Sequence, residues 1–199
     1  MNIFVFGTLL SETFRKIVLG RELNSEHICT ASLKNFCVYW AEAGPFPVIV
    51  PKDGTEVHGV VLKDLNEHDI ERLNYYELGF GYVLREALVE TNDGLQDVFA
   101  YFCKSSDMAS KNLWSFDDWH TKHSEIQYLA TTEFMDFFGT KFGDTAQQMY
   151  NSILKRAEIY VKERSSLSNV IEDGPSKHAK AQVESLTREY LGFFWLEPN

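Results

Sequence analysis

The apolar residues of this chain follow one period up to about residue 105 and another beyond about residue 115, and few folds accommodate both. Upstream, short runs such as "NIFVF", "KNFCVYW", "FPVIVP", "EVHGVVL", "GYVLREALVE" and "LQDVFAYFC" are separated by turn residues and read as strands. Downstream, Trp119, His123, Ile126, Ala130, Phe134 and Phe137 recur at three- and four-residue spacing, which predicts a helix from a Ser115/Asp118 cap to about residue 138. Met149, Ile153, Ala157 and Tyr160 form a second stripe on a helix ending near Arg164. The expected class is α+β: a small mixed β-barrel or strongly curved sheet with short helices over residues 1–110, followed by a helical extension over residues 111–199.

Two short helices interrupt the strand-rich half. "SETFRKIVLG" has Ser11 as N-cap and Gly20 at its C-terminal stop. "LNEHDIERLNYYE" starts at Asn66 with Asp69 three residues on. "AEAGP", "KDGT" and "TNDG" read as turns between strands, and Gly59 within "EVHGVVL" leaves room for a neighbouring backbone.

With 44% hydrophobic and 14% aromatic residues, the chain has ample material for a core. Its net charge of −10, from 19 basic and 29 acidic residues, repels phosphate backbones and anionic lipid, so nucleic acid and membrane surfaces are poor partners. A small molecule is the expected ligand. Cys29, Cys37 and Cys103 are odd in number and widely spaced, which suits core residues of a reducing compartment better than a disulfide framework or a zinc site. The opening apolar run is broken at Gly7 and has no basic flank, so a cytoplasmic location is expected.

Chemistry is suggested at two places. The first strand runs into Gly7-Thr8, where glycine allows backbone amides to face a ligand, although such a stretch by itself is more often a plain turn. Ile70, Leu73 and Glu77 are spaced i, i+3, i+7, so Glu77 shares the apolar stripe of its helix. A carboxylate drawn toward a core loses solvation, its pKa rises, and it becomes a usable proton carrier; a carboxylate at a fraying helix end stays in water and carries nothing. The helix pattern leaves both open. His120, His123 and Glu125 have partial metal-ligand spacing, but His123 belongs to the apolar stripe, and no metal or other cofactor is expected.

The ordered set Phe6-Gly7-Thr8-Leu9, "FPVIV", Val57/Gly59/Val61, Leu73/Asn74/Glu77, Tyr82 and Arg85 resembles the gamma-glutamylcyclotransferase-like family, which includes the AIG2-like proteins. The resemblance spans roughly the first 105 residues. It implies a barrel enzyme without a metal that cyclises a γ-glutamyl amide to 5-oxoproline and releases an amine. Glu77 would be the general base and acid, and Phe6, Gly7, Thr8, Leu9, Tyr82 and Arg85 would bind substrate. The alternative on the same fold is a ligand-binding or interaction module without turnover. Asn74 stands where the family often has aspartate, and the glycines between Glu77 and Tyr82 lengthen that loop. The extension resembles one that precedes a Nudix domain in some bacterial relatives, but no Nudix box is present here. "SSLSNVIEDGPSKHAK" reads as a linker, and the aromatic tail "YLGFFWLEP" is expected to dock on its own barrel or on a second subunit of a homodimer.

Overall fold

The computed structural model describes the backbone of residues 1–140 and 143–172 and the side chains of residues 1–140 and 148–166. Five strands close on themselves. β1 (Ile3–Val5), β2 (Ile28–Ala41), β3 (Gly44–Leu62), β4 (Tyr82–Thr91) and β5 (Gly94–Cys103) lie in the order β3-β1-β5-β4-β2, and β2 pairs back to β3. The β1–β5 pair is parallel and the other pairs in the ring are antiparallel. A sixth strand, β6 (Ala109–Leu113), adds to β2 outside the ring.

Closure satisfies both sides of β1, whose three residues are all buried. Gly59 makes this possible. A Cβ at that position would sit 2.4 Å from the Val5 carbonyl oxygen and 2.7 Å from the Phe4 ring, so any side chain there would push β1 away.

Strand alternation sorts the apolar residues into two bodies. Phe4, Leu33, Val61, Val89, Ala100 and Phe102 belong to a cluster drawn from all five ring strands and from no helix among the described residues, which is the filling of the barrel. Their neighbours of opposite parity, including Ile3, Val5, Leu62, Tyr82 and Tyr101, face outward into a second cluster with the helices. Those helices are α1 (Glu12–Leu19), α2 (Glu67–Leu78), α3 (Phe116–Lys122), α4 (Ser124–Met135) and α5 (Gly143–Glu172). Phe14, Leu73, Trp119, Phe134 and Ile153 bring all five into that one cluster, which therefore runs across the change of period near residue 110.

The caps form as the sequence predicts. Ser11 accepts the Phe14 amide, and Asn66 and Asp69 exchange both bonds of a capping box. Three expectations fail. "KDGT" does not separate two strands: β2 and β3 continue through it as one bent pair, because Asn35 and Gly54 both adopt positive φ and the Asn35 side chain accepts the Gly54 amide at 3.1 Å, forming a bulge. The helix expected through residue 138 divides at His123, beyond which buried Gln127 accepts the Trp119 indole N–H and donates to the Pro45 carbonyl, each at 2.9 Å. α5 passes Arg164 and includes the first residues of the stretch read as a linker. The rest of that stretch and the aromatic tail lie outside the described residues.

Candidate active site

Two arginines set the direction of α2. Arg21 donates from Nε and Nη2 to both oxygens of buried Asp69, at 2.8 and 2.6 Å, and this pairing holds the Asp69 carboxyl below its ordinary pKa. Arg72 donates from α2 to the Val18 and Ile17 carbonyls at 2.8 and 3.1 Å, satisfying the exposed C-terminal carbonyls of α1. Leu73 is wholly buried one turn before Glu77, so the stripe that anchors the helix also turns Glu77 inward.

The chain after β1 is fixed as firmly. Phe6 is extended, and Gly7–Leu10 forms a single 3₁₀ turn. Gly7 has φ +77°, and a Cβ there would lie 2.3 Å from Pro47 Cγ, so the turn lies against β3 only because residue 7 has no side chain. Arg15 donates to the Leu9 and Leu10 carbonyls at 2.9 and 2.7 Å, clamping the C-terminal end of the turn. The amides at the other end have no acceptor within the turn.

Glu77, Phe6, Thr8, Leu9 and Tyr82 line one narrow cavity of about 40 Å³. Gly7 is not on its wall; it acts from behind, letting Pro47 reach the wall. Arg85 of the expected set is not brought to this cavity. It is exposed and absent from the cavity lining, because it is an odd number of residues along β4 from Tyr82 and successive strand side chains point to opposite faces.

Phe46 and Pro47 of "FPVIV" also line it, but much of the remaining wall had no motif to announce it: Tyr76, Phe80, Tyr101 and Tyr150 add to a largely aromatic lining. The inward stripe of α2 could have suggested Tyr76, but Tyr150 arrives from α5 and has no local signal. Glu77 is half-buried and lines the cavity among aromatic side chains. Burial pushes its pKa up to about 8, with no charge or hydrogen bond to offset it. The Tyr76, Tyr82 and Tyr101 hydroxyls are likewise pushed up, first by burial and further by the Glu77 charge, so they remain protonated donors. Tyr82 donates to the Pro47 carbonyl at 2.8 Å. Tyr101 donates to the Asn74 side-chain oxygen at 2.9 Å, a contact in which an asparagine serves as well as an aspartate and leaves no second charge near Glu77.

Among the described residues no three His, Cys, Asp or Glu side chains group as metal ligands. His123 packs its ring against Trp40, and Glu125 pairs with Arg164. No helix among the described residues is long and apolar enough to cross a membrane.

Residues 3–121 match the family model described as gamma-glutamyl cyclotransferase, AIG2-like. AIG2-like protein B of Arabidopsis thaliana is 28% identical over 138 residues, covering 68% of this chain and 78% of that protein. Among solved structures, an Arabidopsis thaliana protein determined in solution matches with a TM-score of 0.49 and 23% identity over 70% of this chain and 84% of its own. A gamma-glutamyl cyclotransferase matches with a TM-score of 0.43 and 22% identity over 52% of this chain and 66% of its own.

Proposed function

This chain belongs to the gamma-glutamyl cyclotransferase, AIG2-like family, and from that premise we propose that it cyclises a small γ-glutamyl amide to 5-oxoproline with Glu77 as the proton carrier. The observation that carries the reading is the placement of Glu77 on the same cavity as Phe6, Thr8 and Leu9 of the turn after β1, where burial raises its carboxyl pKa.

The reaction needs little else. The substrate's α-amino nitrogen attacks its own γ-carbonyl carbon, so nucleophile and electrophile arrive already tethered. In its ionised form Glu77 accepts a proton from the α-ammonium group, and its raised pKa makes it a better base than an ordinary carboxylate. The new C–N bond closes the five-membered ring as charge develops on the carbonyl oxygen. Amides at the start of the Gly7–Leu10 turn are suited to receive that oxygen or the substrate's carboxylate. Glu77 then returns its proton to the departing nitrogen, takes the surplus proton from the ring nitrogen as the original amide C–N bond breaks, and passes it to the amine, which leaves as an ammonium ion. Of the four N–H protons of the substrate one stays on the lactam and three leave on the amine, and the carboxylate is regenerated.

Incubation with a panel of γ-glutamyl amides, followed by detection of 5-oxoproline, tests the proposal. We expect turnover by the wild-type protein and a loss of at least ~10²-fold in Glu77→Gln, which keeps size and hydrogen bonding but carries no proton at neutral pH. Equal turnover by the Gln variant would sink the role of Glu77. Binding without any 5-oxoproline would favour a ligand-binding module.

A further inference from the structure

The cavity holding Glu77 shares Phe46, Phe80, Tyr82 and Tyr150 with a much larger groove of about 650 Å³ on its outer side. These four rings are a common wall. The groove is bounded by the β2–β3 turn with Glu42, by the segment before β6 with Asp107 and Met108, and by α5 with Gln148, Asn151 and Leu154. The α5 wall is not part of the family module, since the family match ends at residue 121 and α5 begins at Gly143. Ile153 and Ala157 are wholly buried, which holds this stretch of α5 against the molecule, while Gln148 and Asn151 remain exposed toward the groove.

We infer that the outer groove receives the amine half of the substrate and that α5 and the β2–β3 turn select an uncharged or cationic leaving group over one that bears a carboxylate. The inference rests on the reading that the glutamyl half cyclises beside Glu77. With that half in the inner cavity, the rest of the molecule has to pass the four shared rings and lie in the groove. The charge of the groove then decides what is welcome. Glu42 and Asp107 line it, and among the described residues no lysine, arginine or histidine does. Gln148 and Asn151 offer amide donors and acceptors but no charge to compensate an anion. An added carboxylate therefore meets like charge, and an added ammonium meets opposite charge.

The test uses the full-length protein and three probes with four-carbon amine halves: the γ-glutamyl derivatives of butylamine (neutral), putrescine (cationic) and 4-aminobutyrate (anionic). γ-Glutamyl-methylamide, too short to enter the groove, is the control. We expect kcat/KM to be lowest for the anionic probe. Asn151→Lys should shift the cation-to-anion preference about threefold to fivefold toward the anion, and Glu42→Gln should shift it in the same direction by less, with the methylamide rate unchanged in both. Turnover of the methylamide with no charge preference among the longer probes, or with a preference that neither variant moves, overturns the groove assignment and leaves the role of Glu77 intact. Failure to release 5-oxoproline from any probe, the methylamide included, overturns both.

Discussion

Glu77 costs the fold something, and the cost has a definite pH dependence. In the unfolded chain it ionises like any glutamate, whereas in the folded protein burial holds its proton up to about pH 8. Between these two values the folded state binds the extra proton, so stability falls as pH rises through the interval and is lowest above it. Glu77→Gln removes that slope. The variant should melt close to the wild type near pH 5 and be more stable by on the order of 5 kcal/mol near pH 9, read from paired denaturation curves. Parallel curves across this range would mean that Glu77 ionises normally. Glu77 was legible because helix period is a strict rule and Ile70 and Leu73 define the inward stripe. That Arg85 lies away from Tyr82 was equally legible, since an odd separation along the strand puts the two on opposite faces.

At the scale of elements, the site depends on how α2 is moored to α1. The Arg21–Asp69 pair carries two charge-assisted bonds, and Asp69 also completes the capping box through the Asn66 amide at 2.9 Å. Asp69→Asn should cost about 2 kcal/mol at neutral pH, measured by denaturation. Because pairing with Arg21 depresses the Asp69 pKa, its contribution is fully present above the ordinary carboxylate range and is lost as pH falls through the lower folded value. The gap between variant and wild type should therefore narrow in acid. An undiminished gap at low pH would assign the loss to packing instead. Asn66 and Asp69 announced their capping box in sequence because a cap is a local bond between near neighbours. The bulge at Asn35 and Gly54 was hidden because it joins residues 19 positions apart, and "KDGT" alone is indistinguishable from a hairpin turn.

Across the whole molecule, Glu77 is desolvated by parts that are remote in sequence. β1 and the turn after it supply one side of the cavity, β3 supplies Phe46 and Pro47, and α5 supplies Tyr150, which packs edge-on against Phe80 and Phe134. Burial pushes the Tyr150 hydroxyl up to about 12, so this wall stays uncharged alongside Glu77. Alternation and ordered motifs made the barrel readable from sequence, but nothing in the stripe of Met149, Ile153, Ala157 and Tyr160 said that the residue beside it would reach the site. That long-range closure is what raises the carboxyl pKa, and it can be read without knowing the substrate. The ¹³C resonance of the Glu77 side-chain carboxyl, assigned by its absence in Glu77→Gln, should titrate with a midpoint near pH 8 in the folded protein. A midpoint in the ordinary glutamate range, about 4.3, would contradict the account at its centre.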